Sequence, residues 1–176
     1  MNFKTIYFIF LMTLVSCKNQ DARRPITVSK TYTLASTVNF FREINKVEER
    51  KIENYIKKDS LFDYNKSPNG FWYQYITKID SDSNTPKKGD LVEISYEILD
   101  LNNRILYSKE TIGIREYIID KEDFILALQI GVKLMKEGET IKFIIPSFNA
   151  FGVLGDENKI GMNTSIIITL TLININ

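Results

Sequence analysis

The sequence predicts an α+β fold: a curved antiparallel sheet folded over one short helix and preceded by a separate amphipathic helix. Three observations predict it. Apolar residues alternate with period two around 71–76, 91–98, 141–145 and 166–172. One stretch, 124–135, repeats its apolar residues at helical spacing instead. Loop signals at Ser67-Pro68-Asn69-Gly70 and across 81–86 punctuate the pattern.

Taken in order, residues 1–16 stand outside that fold. Lys4 and the apolar run from Ile6 to Val15, broken only by Thr13, have the form of an export signal, and ten residues are too few to span a bilayer. Residues 17–35 are too polar to order themselves and read as a tether. Across 36–60, Phe40, Phe41, Ile44, Val47, Ile52, Tyr55 and Ile56 recur at spacings of three and four, which predicts an amphipathic helix. Its simplest role is to pack on the domain C-terminal to it; dimerisation is the alternative.

The strands come next. Phe71, Tyr73 and Tyr75 alternate with Trp72, Gln74 and Ile76, and Val92, Ile94, Tyr96 and Ile98 define the buried face of the second strand. Asn102-Asn103 favours a tight reversal, returning Ile105-Leu106-Tyr107 antiparallel. Asp120 is expected to cap a helix with Glu122 and Asp123 in its first turn and Phe124, Ile125, Leu128, Val132 and Met135 on its apolar face. Gly138 ends that unit, Pro146 closes the strand at 141–145, and Ile166, Ile168, Leu170 and Leu172 alternate in the last. These elements are expected to close one core without the N-terminal helix. The acidic pairs Glu48-Glu49 and Glu122-Asp123 read as a solvated helix face and a first-turn dipole partner.

Composition excludes most covalent chemistry. The 176 residues contain no His and one Cys, so no Ser-His-Asp or Cys-His relay and no intramolecular disulfide can form, and a zinc site lacks its usual ligands. Twenty-three basic against 22 acidic residues argue against a nucleic-acid surface. Only carboxylate sites, which suit harder ions, are left for a metal, and the expectation is a globular protein whose chemistry, if any, needs no metal, cofactor or imidazole.

The single thiol has a context. Leu14-Val15-Ser16-Cys17 resembles the lipobox of bacterial lipoproteins, in which the signal is cut before the cysteine and the thiol is acylated. That resemblance implies a lipid anchor at Cys17 in the bacterial envelope, facing the periplasm. Lys18, in place of Asp, favours the outer membrane by the enterobacterial sorting pattern.

Five blocks in register carry a second resemblance. Lys88-Gly89-Asp90-Leu91-Val92, Asn102-Asn103-Arg104-Ile105-Leu106-Tyr107, Phe124-Ile125 with Gly131 to Glu139, Ala150-Phe151-Gly152, and Ile160-Gly161-Met162 resemble the successive blocks of the FKBP-type peptidyl-prolyl isomerases. The resemblance covers about 68–174 and implies an FKBP-like half-barrel wrapped around one helix, with an apolar pocket between them. Together with the lipobox and the N-terminal helix, the chain resembles the gliding-motility lipoproteins.

The family's pocket carries over position by position. Tyr96 falls on the pocket tyrosine, and Phe124 and Ile125 on the pair whose second member offers its backbone N–H to a bound carbonyl. Phe151 keeps the ring of a tyrosine but lacks the hydroxyl; these four are the implied catalytic residues. Leu106 replaces an aromatic, Tyr107 stands where an aspartate is usual, Leu128 replaces the tryptophan under the pocket, Ile160 matches the late-loop isoleucine and Ile168 replaces a phenylalanine; these five are the implied substrate-binding residues. The resemblance implies an isomerase, weakened by these replacements, acting on proline-containing polypeptides. The likeness to gliding-motility lipoproteins implies clients in a motility or secretion apparatus. A non-catalytic binding module on the same fold is the alternative.

Overall fold

A computed structural model describes residues 34–59, 63–80 and 84–176. The signal peptide, Cys17 and most of the tether lie outside the described residues. Helix α1 spans Leu34–Lys58 and ends on Lys57 and Lys58, cations that suit the negative end of a helix. The strands are β1 (Asn65–Lys66), β2 (Trp72–Thr77), β3 (Leu91–Asp100), β4 (Ile105–Tyr107), β5 (Arg115–Ile118), β6 (Thr140–Ile145) and β7 (Ile166–Ile175). Two short helices, α2 (Lys109–Ile112) and α3 (Leu126–Gly131), lie between them.

All strand pairs are antiparallel, in the order β1-β2-β6-β7-β3-β4, with β5 also on β3. The last strand is thus central: β7 holds β6 on one side and nearly the whole length of β3 on the other. The other edge of β3 is shared, its first half by β5 and its end by β4. The predicted reversal is present, with Asn103 at φ 61 and its N–H donating to the Asp100 carbonyl at 3.0 Å.

Alternation divides the sheet into two apolar faces. One face, with Val92, Ile94, Ile98, Ile141, Phe143, Ile145, Ile166, Ile168, Leu170 and Leu172, packs on Ala127, Leu128, Val132 and Met135 to form the main core. Gly131 permits the approach of α3, because a Cβ there would overlap the Phe143 ring. The other face buries Trp72, Ile144 and Ile167 against Ile52 of α1. The main core therefore contains no residue of α1, but α1 covers a second core that would otherwise meet water. Both belong to one compact unit, Leu34–Asn176. No helix of the described residues is long and apolar enough to cross a membrane.

Three expectations are corrected. Helix α3 begins at Leu126 and lasts six residues before a 3-10 turn at Val132–Leu134, so Glu122 and Asp123 precede it. Asp120 does not cap it; the residue sits at φ 56 in the preceding turn and pairs with Lys133 at 2.9 Å. Glu48 is not a solvated residue but a buried one, 3% exposed. Strands β1 and β5 add to the predicted set, since two and four residues are too short to display a period.

Candidate functional site

The site is built on the face of the sheet that α3 covers. Tyr96 comes from the middle of β3, Leu106 and Tyr107 from β4, Phe124 and Ile125 from the segment entering α3, and Leu128 from α3 itself. Phe151 and Ile160 lie on the loop between β6 and β7, and Ile168 on β7. All nine belong to the main core cluster or pack against it. Leu106, Leu128, Ile160 and Ile168 are buried and make the floor, whereas Tyr96, Tyr107, Phe124, Ile125 and Phe151 are half-buried. Leu128 and Ile168 have no exposed surface, so they shape the site from beneath.

An aromatic corner sits over that floor. The Tyr96 and Phe124 rings meet edge to face with centroids 5.8 Å apart, and Phe124 lies 5.0 Å from Tyr117 of β5. Sequence reasoning missed Tyr117, because Arg115-Glu116-Tyr117-Ile118 is too short to announce a strand. Burial, partly opposed by Arg115, pushes the Tyr96 phenol up, which keeps it a neutral donor at neutral pH.

Two donors at this corner are unengaged. The Ile125 carbonyl accepts from the N–H groups of Leu128 at 2.8 Å and Gln129 at 3.0 Å, but its own N–H has no acceptor among the described residues. That orphan follows from helix geometry, since the groups entering a first turn have no partner within the helix. The Gln129 Nε2 donates back to the Phe124 carbonyl at 2.7 Å and fixes the peptide that presents Ile125. The Tyr96 hydroxyl is likewise without a hydrogen bond among the described residues.

The late loop, 146–165, is pinned at both ends and at its tip. Tyr107 donates its hydroxyl to the Asp156 carboxylate, whose other oxygen accepts from the N–H groups of Asn158 at 3.0 Å and Ile160 at 2.7 Å. Burial would raise Asp156, but these donors outweigh it and hold the carboxyl below the usual aspartate value. Gly155, at φ +71, has no room for a side chain, because a Cβ would overlap the Ile160 carbonyl oxygen. Lys159 lies over the Tyr107 ring at 4.9 Å and donates to the Leu106 carbonyl at 2.9 Å. Asp156 and Lys159 were missed because a polar loop run carries no period. At the loop's ends, Glu48 accepts from Ser147 N–H at 2.7 Å, Ser147 Oγ at 2.6 Å and Ser165 Oγ at 2.8 Å.

Half-buried apolar side chains around one unengaged backbone donor suit a proline ring followed or preceded by a carbonyl. No covalent intermediate is needed there: rotation about an X-Pro bond is slow only because it breaks amide resonance, a barrier of roughly 18–20 kcal/mol. The model of the FKBP-type peptidyl-prolyl cis-trans isomerases matches residues 82–173. The chain belongs to that family. The FKBP domain thus defined begins after β2, so α1, β1 and β2 precede the matched segment although β2 is hydrogen-bonded to β6.

Solved structures show the same FKBP fold. A peptidyl-prolyl cis-trans isomerase from Pseudomonas syringae pv. tomato is 18% identical with a TM-score of 0.62, covering 77% of this chain and 95% of its own. FkpA from Escherichia coli is 17% identical with a TM-score of 0.62, covering 100% of this chain and 83% of its own. At these identities the likeness is one of fold. No curated protein sequence matches the chain.

Proposed function

We propose that this FKBP domain isomerises X-Pro bonds weakly in exported polypeptides, anchored through an acylated Cys17. The observation that carries the reading is the unengaged Ile125 N–H beside the Phe124 ring, above a buried aliphatic floor. Proline would enter between Tyr96, Phe124 and Phe151, with its neighbouring carbonyl accepting from Ile125. A pocket of this kind disfavours the planar, charge-separated amide relative to the twisted one. Binding the twisted form better by about 4 kcal/mol accelerates rotation roughly a thousandfold.

Leu106, Tyr107, Leu128, Ile160 and Ile168 set the depth and shape of that pocket. The aliphatic Leu128 and Ile168 offer less ring surface than aromatic residues would, which supports weak catalysis. Magnetisation-exchange NMR on an apolar Xaa-Pro peptide tests the reading: exchange above the spontaneous rate, unchanged by a chelator, is expected. Binding without acceleration would favour the second reading, a chaperone-like binding module, for which the fully buried Leu128 is the specific support.

With that anchor the clients are those of the bacterial envelope, met by a domain facing the periplasm at the outer membrane, in an apparatus such as that of gliding motility. Cys17→Ser should release the protein from membranes or trap its precursor; a variant that is processed and fractionates like wild type would remove the anchor. Val38, Phe40, Phe41 and Val47 are exposed along the first half of α1, which supports self-association through that helix. Sedimentation of the full chain with Phe40→Ser and Phe41→Ser should then show a smaller species than wild type.

A further inference from the structure

A groove of about 540 Å³ runs between α1 and the loops opposite it, the β3–β4 turn and the end of the late loop. Lys51 and Lys58 line one wall, Arg104 and Lys159 the other. The two carboxyls in its lining, Glu48 and Asp100, are both committed. Glu48 accepts from Ser147 and Ser165, and Asp100 is held by the Arg104 guanidinium at 3.2 Å and by the backbone N–H groups of Asn102 and Arg104. Among the described residues neither Lys51 nor Lys58 has a carboxylate within salt-bridge distance. Four cations thus face two carboxylates in the lining, a surplus of positive charge in a chain that is almost neutral, at +1.

The groove shares a residue with the inferred isomerase site. Leu106 belongs both to its lining and to the floor of the pocket, and Lys159, which also lines it, lies over the Tyr107 ring. A polypeptide whose proline enters that pocket would pass Lys159 on its way to the groove. Spacing adds a constraint: Lys51 and Lys58 are seven residues apart on one helix face, about 10 Å along its axis. Acidic residues three apart in a polyproline II segment, the conformation natural beside proline, share one face and lie about 9 Å apart. The amides of Asn54, Asn102 and Asn163, in the same lining, suit the backbone of such a segment.

We infer that this groove binds an acidic segment flanking the isomerised proline, so that clients with Glu or Asp at a three-residue spacing beside an X-Pro site are preferred. The inference rests on the isomerase reading for its context but not for its test. Fluorescence anisotropy with the full chain in mild detergent compares peptides sharing an Ala-Leu-Pro-Phe core. One pair carries Glu-Ala-Ala-Glu on the amino or the carboxyl side, and its control carries Gln-Ala-Ala-Gln.

One of the Glu peptides should bind about fivefold more tightly than its Gln control at low ionic strength, from two exposed pairs. The advantage should largely vanish near 0.5 M salt, where the Debye length is a few Å. The double variant Lys51→Gln, Lys58→Gln should lose the advantage and leave both binding and isomerisation of the Gln peptide unchanged. Equal binding of Glu and Gln peptides by wild type, or an advantage that survives in the double variant, would overturn the inference. A lysine-dependent advantage without any isomerisation of the core would instead overturn the isomerase reading and leave the groove standing.

Discussion

Glu48 and Ser147, 99 residues apart in sequence, are joined by two hydrogen bonds, from the Ser147 N–H and from its hydroxyl. Ser147 opens the loop that carries Phe151, and its carbonyl accepts from the N–H groups of Ala150 at 2.9 Å and Gly152 at 2.8 Å. Since Glu48 also holds Ser165, one carboxyl group of α1 fixes both ends of the loop. Glu48→Gln puts an amide N–H₂ where one carboxyl oxygen now accepts. The expected cost is about 1–3 kcal/mol in denaturant unfolding, because the charge-assisted hydrogen bonds become neutral ones and the Ser147 hydroxyl must turn to accept. Isomerase kcat/KM should fall with it, and a variant with wild-type stability and activity would show that the loop holds itself.

The Tyr107–Asp156 hydrogen bond ties β4 to the tip of the same loop. Asp156→Asn retains an acceptor for Tyr107 but loses the carboxylate shared by two backbone donors. Isomerase activity is expected to fall several-fold through KM, with the pocket residues intact. Because the folded Asp156 titrates below the ordinary aspartate value, its contribution is complete above that value and is lost as the pH falls through the folded one. The wild-type activity should decline in that acid range, and the variant's decline should be shallower.

At the far end of α1, Lys142 donates to Asp59 and to the Tyr55 hydroxyl, each at 2.8 Å. Burial would raise the Asp59 carboxyl, but hydrogen bonds from Lys142 and Tyr64 lower it further than burial raises it. The unfolded chain therefore binds the proton more readily, and stability from this pair is lost below about pH 4. Asp59→Asn should lower stability at neutral pH and flatten the acid limb of a stability-against-pH curve. An unchanged acid limb would assign the acid transition to other carboxylates.

Ile52 is fully buried against Trp72, Ile144 and Ile167. Ile52→Ala is expected to cost about 2–5 kcal/mol by differential scanning or denaturant unfolding, from lost burial and the cavity left behind. The main core contains no residue of α1, so the variant should remain folded and cooperative.

Two substitutions separate the chemistry of the pocket from its packing. Phe151→Tyr adds a hydroxyl to a half-buried ring and should raise isomerase activity if that donor is what the site lacks. Leu128→Trp enlarges a fully buried residue and should destabilise by about 1–3 kcal/mol through overpacking, whatever it does for the floor. NMR exchange spectroscopy and thermal unfolding, measured on both, distinguish the two effects.

Long alternating strands were legible because their period survives any context: Val92, Ile94 and Ile98 face the main core as their spacing requires. The nine residues that the family motifs single out likewise belong to the main core or pack against it. What stayed hidden depends on partners distant in sequence. Glu48 looks like any acid beside Glu49 until Ser147 and Ser165 arrive to hydrogen-bond it. Tyr117 belongs to a strand that exists only because β3 offers it an edge. The acidic run after Asp120 imitates a helix start, but the chain takes φ 56 at Asp120 and delays the helix to Leu126.

The central place of β7 has a consequence for synthesis. Until the ribosome releases Ile166–Ile175, β6 and β3 have no common neighbour, and the two halves of the sheet cannot be joined. Ile52, made more than a hundred residues earlier, waits for Ile167 before its own core is complete. A nascent chain stopped short of β7 would hold β2–β6 and β3 as separate ribbons with bare apolar faces, a state suited to chaperones and proteases rather than to partial function. Termination even ten residues early should therefore yield no soluble domain at all.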